Sequence, residues 1–304
     1  YLWGPSLSQT NHPLLFELLR SFTTLAETLN LSRAVSKLDT TRQTVRRHIN
    51  ILEEIKGERL FIVDDRQYHL TDSGRRYYRE ALDIQARGLA WMNNETRHVG
   101  GLFHISKEET NGWGFYLQQH PISDIWEDQS DLLRRAVAAW ATAKGDVTEE
   151  AFDDIRSDMM VFRKSGEGWL CSAVGSNSSY ATWYGRQWEH SSIGRALPSL
   201  PGGQAHASQL SQPFEEVRAT RGLRYDHVHT SMNRQDDAPL EPISFKRLLL
   251  GGRYPDDSFA LISIIVRSYD LRILGVPKKM IYSMPAKWVM DDSASLASES
   301  AEQS

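Results

Sequence analysis

One cysteine, Cys171, is all that the sequence has, which excludes an internal disulfide framework and a cysteine-rich zinc site and suits a reducing compartment. No stretch approaches the roughly 20 apolar residues that span a bilayer, and residues 1–13 lack the basic-then-apolar order of a secretory signal. A cytoplasmic protein without a membrane partner is expected. Catalytic patterns are equally scarce. Gly175-Ser176-Asn177-Ser178 is not a Gly-x-Ser-x-Gly elbow, and Gly202-Gly203 is not followed by the Lys-Ser/Thr of a phosphate loop. The acidic pairs Asp153-Asp154 and Asp256-Asp257 fall on a polar helix face and in a turn, where solvation accounts for them. Neither an enzyme nor a resident cofactor or metal is expected.

What is present describes an ordinary folded protein: 304 residues, 40% of them hydrophobic and 24% charged, with nine Trp, enough for two domains and a connector. The net charge of -4 hides an uneven distribution. Between residues 33 and 47, Arg33, Lys37, Arg42, Arg46 and Arg47 stand against Asp39 alone, whereas 291–304 is acidic and rich in Ser and Ala. The basic footprint is at the front.

Leu14, Leu15, Leu18, Leu19, Phe22 and Leu25 recur at spacings of three and four, which predicts a first helix with one buried face. A short second helix over 31–38 uses Leu31, Ala34, Val35 and Leu38. After the polar break Asp39-Thr40-Thr41, a third helix over 42–56 buries Val45, Ile49 and Leu52 and stops at Gly57. Two helices joined by so short a turn make a helix-turn-helix. With that face inward, Arg42, Gln43, Thr44, Arg46 and Arg47 point outward behind Thr41. Arg can grip guanine with two donors, Gln can pair with adenine, and Thr can touch a phosphate or a thymine methyl, so double-stranded DNA is the expected partner.

Leu60-Phe61, the tip Asp64-Asp65-Arg66 and the return Tyr68-His69-Leu70 read as a two-stranded wing. Thr71 caps a long helix over 72–97, about 26 residues or roughly 39 Å. Its two adjacent apolar stripes, Tyr77, Ala81, Ile84 and Trp91 beside Tyr78, Leu82, Leu89 and Met92, need a covering surface, either a second copy or this chain's own second domain.

Residues 14–95 resemble the front of LysR-type transcription regulators: Phe22, Ala34, Leu38, Val45, Ile49, Leu52-Glu53, Gly57, Leu60-Phe61, Arg66, Leu70-Thr71 and Gly74 fall at that family's spacing. The resemblance implies sequence-specific DNA binding, Arg66 in the minor groove, and a linker helix that pairs with its twin in a homodimer. The chain departs from the family in having Arg42 in place of Gln, Arg46 in place of Ser and Val63 in place of a wing Arg. Docking geometry therefore carries over, and operator preference does not.

Such regulators usually continue into an effector domain of alternating parallel strands and helices. Here 100–128 is interrupted by Gly112, Gly114 and Pro121 and lacks an opening strand of that kind. A helix is expected over 129–144, with Leu132, Leu133, Ala136, Val137 and Trp140 inward, and another over 148–156, so that 98–154 forms a helical connector. Strands at 159–163 and 169–174, a helical middle over 178–219, and strands at 224–231, 243–250 and 259–267 follow. That order resembles PAS sensor domains across 155–275, as do Ile193-Gly194-Arg195 before Leu197-Pro198 and Arg247-Leu248-Leu249-Leu250 before the last strand.

This second resemblance implies a cavity between the sheet and 178–200, lined by Trp183, Tyr184, Trp188, Tyr225 and His227, with room for a small, flat hydrophobic effector. Alternation puts Tyr225, His227 and His229 on one face, but no third ligand accompanies the two imidazoles, so a metal site is not expected. The expected fold class is α+β: a winged helix-turn-helix (1–71), a dimerising linker helix (72–97), the connector (98–154), a PAS-like antiparallel sensor domain (155–275), and a C-terminal segment with a disordered acidic tail (276–304). The expected function is a DNA-binding transcription regulator modulated by a ligand or a protein partner. The alternative is a constitutive repressor or architectural protein whose second domain only dimerises or recruits.

Overall fold

Leucines and Phe22 at helical spacing wind α1 (Leu15–Thr28) around a face that buries Leu18, Leu19, Phe22 and Leu25. The computed structural model describes residues 14–65, 67–108, 113–165, 168–234 and 238–294, and leaves aside the side chains of 204–206 and 208. The chain divides into two units, Tyr1–Leu89 and Ala90–Ser304.

In the first unit, α1 ends at Leu29 in the left-handed conformation, and the Asn30 side chain caps α2 (Leu31–Leu38) by accepting from the Arg33 amide. Ala34 is fully buried, as a close helix approach requires, and Asp39 turns the chain through a left-handed conformation. Thr41 then caps α3 (Arg42–Lys56), which closes at Gly57 with φ of 67°. The wing pairs β1 (Phe61–Asp64) with β2 (Gln67–Leu70), Phe61 opposite Leu70. Thr71 Oγ1 accepts from the Gly74 amide and starts α4 (Asp72–Met92). Phe22 and Phe61 meet edge to face at the centre of this core.

The second unit is one antiparallel sheet covered on both faces. Its strands are β3 (Thr96–Val99), β4 (Leu102–Glu108), β5 (Gly114–His120), β6 (Met159–Ser165), β7 (Gly168–Val174), β8 (Leu223–Asn233), β9 (Leu240–Arg253) and β10 (Phe259–Arg267). They stand in the order β3-β4-β5-β8-β9-β10-β6-β7. The first covering layer contains α5 (Asp131–Thr142) and a 3-10 turn at Glu150–Asp158, packed on Leu248, Leu250, Ile262 and Ile264. The second contains α6 (Ser179–Tyr184), α7 (Arg186–Ser191) and α8 (Gly203–Thr220), while α9 (Lys278–Ile281) lies on the first face, where Ser244 Oγ donates to the Ile281 carbonyl at 3.2 Å. The second layer packs on Phe245, Leu249 and Leu261. With both faces covered, β10 reads as an almost unbroken apolar run.

The structure corrects four expectations. The long helix ends at Met92 rather than 97: Asn94 turns with φ of 57°, and 96–99 is already a strand. Residues 98–154 are not a helical connector, because β4 and β5 join the main sheet through β5 and β8. The turn expected as a helix over 148–156 is 3-10. The acidic stretch 291–304, expected as a disordered tail, is ordered in its first residues, with Ser293 buried, while 295–304 lies outside the described residues.

Candidate nucleic-acid interface and the second-unit cavity

The first turn of α3 is built from its cap outward. Thr41 Oγ1 accepts from the Thr44 amide at 3.1 Å and lies 2.9 Å from Thr44 Oγ1, which fixes the helix start. Val45, His48, Ile49 and Leu52 face the core. Thr41, Arg42, Gln43, Arg46 and Arg47 are exposed, and Thr44 is half-buried. Arg42 Nη2 donates to Ser32 Oγ at 2.8 Å, so its guanidinium is held against α2. Among the described residues no ion pair engages Arg46 or Arg47.

Two contacts steady this surface from behind. Ser21 Oγ and His48 Nδ1 lie 2.7 Å apart and tie α1 to α3. Burial holds the His48 pKa below its ordinary value, and the neighbouring Arg47 charge pushes the same way. Lys37 Nζ binds Glu27 at 2.7 Å, joining α2 to α1. A third contact, missed in the sequence reading, positions the wing: the buried Glu53 carboxylate accepts from the Leu60 and Phe61 amides at 2.8 and 3.3 Å and from Arg59 Nη1 at 2.8 Å. An acid inside an otherwise apolar helix stripe was the available signal. Arg66 lies outside the described residues, and Ile62 and Val63 beside it are 58% exposed.

The second unit encloses a cavity of about 80 Å³ between the sheet and α6 and α8. Trp183 and Tyr184 line it. Trp188 does not, packing against the same core with Arg195 5.4 Å from its ring. Tyr225 and His227 do share a face with His229, but it is the opposite face of the sheet, so the structure removes them from the cavity. Tyr225 Oη donates to Asp128 Oδ2 at 2.7 Å and lies 2.9 Å from His227 Nε2, whose Nδ1 accepts from the Arg272 amide. Lys246 Nζ bridges Asp128 and Asp270, 2.8 Å from each. These groups satisfy one another. Ser179, Tyr180, Ser263 and Arg247 are the polar residues among its lining, Arg247 having entered the sequence analysis only as part of a motif.

Comparison with known proteins places the first unit. The family described as bacterial regulatory helix-turn-helix protein, lysR family, matches residues 16–75. The chain is similar to the probable cat1 operon transcriptional activator of Acinetobacter lwoffii, 35% identical over 81 residues, 27% of this chain and 26% of that protein. It is also similar to the HTH-type transcriptional regulator CatR of Pseudomonas putida, 35% identical over 82 residues, 27% of each chain. The match thus spans about a quarter of the length of these relatives. The crystal structure of the CbnR_DBD-DNA complex aligns at 24% identity over 26% of this chain and 91% of that one, with a TM-score of 0.25. Residues 16–75, with their capped third helix and paired wing, are a helix-turn-helix domain of the LysR family.

Proposed function

We propose that this chain is a cytoplasmic, homodimeric transcription regulator that reads double-stranded DNA through the exposed start of α3 and whose binding is modulated at the second unit. The observation that carries the reading is the outward set Gln43, Arg46 and Arg47, with Arg42 held beside it by Ser32, on the third helix of a LysR-family domain. Bidentate donors there suit base edges of the major groove.

Pairing of α4 with its twin is supported by its uncovered apolar residues: Leu82, Ile84 and Leu89 are 39%, 43% and 51% exposed, and Trp91 is 72% exposed. Among the described residues no helix is long and apolar enough to cross a membrane. The second unit we read as PAS-like. Two strands, a helical middle and three antiparallel strands share one sheet, with β10 between β6 and β9 and a cavity under the helical middle. A ligand or partner there acts by binding two arrangements of the dimer unequally.

Selection of random DNA duplexes on the full chain tests the core of this reading. It should enrich a two-fold symmetric site bound far more tightly than unselected duplex. Enrichment of no site would overturn it.

A further inference from the structure

Resting on the DNA-reading role of α3, we infer that Arg42 reads a guanine in the major groove and that Ser32, on the neighbouring α2, is the positioning residue that aims it. Both side chains are exposed, and both stand on fixed backbone. The Thr41 cap holds the start of α3, where Arg42 is the first residue. Asn30 accepts from the Arg33 amide at 3.0 Å and holds the start of α2, while Lys37 pins the far end of that helix to Glu27 of α1 at 2.7 Å. Between the two helix starts, Arg42 Nη2 donates to Ser32 Oγ at 2.8 Å. Among the described residues, no such bond is made by the guanidiniums of Arg46 and Arg47.

What that bond leaves open sets the chemistry. A guanidinium carries two parallel donor pairs, Nε with Nη2 along its side and Nη1 with Nη2 at its end, and Nη2 places a hydrogen in each. Ser32 takes one Nη2 hydrogen, so one pair stays whole whichever it takes. Two parallel donors match the O6 and N7 acceptors of guanine, whereas adenine sets a donor beside its N7. The first turn of a recognition helix reaches base edges. A free arginine gives up much rotamer freedom on binding, and one already ordered gives up less, so the bond to Ser32 turns a flexible charge into a directed reader.

The same hydroxyl has a second use. It has one donor hydrogen and two acceptor lone pairs. Its oxygen receives Arg42, and among the described residues nothing accepts its proton. The helix before a recognition helix crosses the backbone of the duplex, which brings a phosphate oxygen to that proton. Ser32 thus joins the seat of the protein on the backbone, which carries no sequence information, to the direction of a side chain that does.

Fluorescence anisotropy of the full chain on a selected operator, on the single-base variants of one half-site and on random duplex tests this. Arg42→Ala should weaken operator binding at least about fivefold and lose the preference for guanine at one position. Ser32→Ala should relax the same position, Ser32→Thr should keep it, and in the Arg42→Ala background Ser32→Ala should add no further change in base preference. Base preference is a ratio of affinities, so a change in the folded fraction does not move it. A Ser32→Ala variant with full preference at that position overturns the positioning role. Equal losses for Arg42→Ala on operator and random duplex, with every base preference intact, overturn the guanine assignment and make Arg42 a phosphate contact. In either case the DNA-reading role of α3 stands if the Gln43, Arg46 or Arg47 substitutions still alter base preference, and it falls with the inference if none does.

Discussion

Gly74 has no room for a side chain: a Cβ there would sit 2.1 Å from the Leu60 carbonyl oxygen, where the start of α4 crosses the entry to the wing. Gly74→Ala should therefore cost about 1–3 kcal/mol of stability, measured by denaturant unfolding of the first unit's transition. An unchanged midpoint would show that the crossing relaxes freely. Burial sets a different response in the second unit. His229, packed with Ser244 Oγ 2.8 Å from its Nδ1, has its pKa drawn down to about 4 by desolvation. His227 shifts the same way, by burial first and then by the charges of His120 and Lys246. The folded pKa lies below the ordinary 6.5, so between the two values the unfolded chain binds the extra proton. Stability is fully present above pH 6.5 and falls as the pH drops toward 4, His229 alone accounting for about 3 kcal/mol. Urea midpoints between pH 7.5 and 4.5 should decline, and His229→Gln should flatten the slope. A pH-independent midpoint would contradict the burial argument.

Among the elements, α4 is the one whose apolar surface the first unit uses least. Ala81 is buried and Tyr77 and Tyr78 pack on the core, but Leu82, Ile84 and Leu89 stay exposed. Leu82→Glu with Leu89→Glu should convert dimers to monomers in sedimentation and weaken operator binding sharply, because two half-sites then bind separately. Dimers of unchanged stability would place the interface elsewhere. The elements also show what a sequence discloses. Spacings of three and four located α1, α2 and α3, the Gly57 stop and the wing, and the continuous run of β10 marked its ends. By contrast β4 and β5 were hidden by Gly112, Gly114 and Pro121, which read as breakers although β5 pairs residue by residue with β8 from Phe115 to His120. Alternation sorted β8 correctly into two faces. It could not say which face α6 and α8 cover, since helical layers bury both, and so Tyr225 and His227 were assigned to the cavity in place of Arg247.

At the scale of the whole molecule, a LysR-family helix-turn-helix precedes an antiparallel second unit, and the proposed regulator links base reading in one to occupancy of a cavity in the other. The base-reading claim is the centre, because without it the dimer and the cavity have nothing to control. Once an operator is selected, affinities of the wild-type chain and of Gln43→Ala, Arg46→Ala and Arg47→Ala should be measured on every single-base variant of one half-site. The account predicts that at least one substitution, Arg47→Ala first, loses about 1–3 kcal/mol on the operator and no longer distinguishes the bases at one position, while binding to random duplex changes little. Equal losses on operator and random DNA for all three residues, with base preference intact, would show contacts to phosphate only and contradict it.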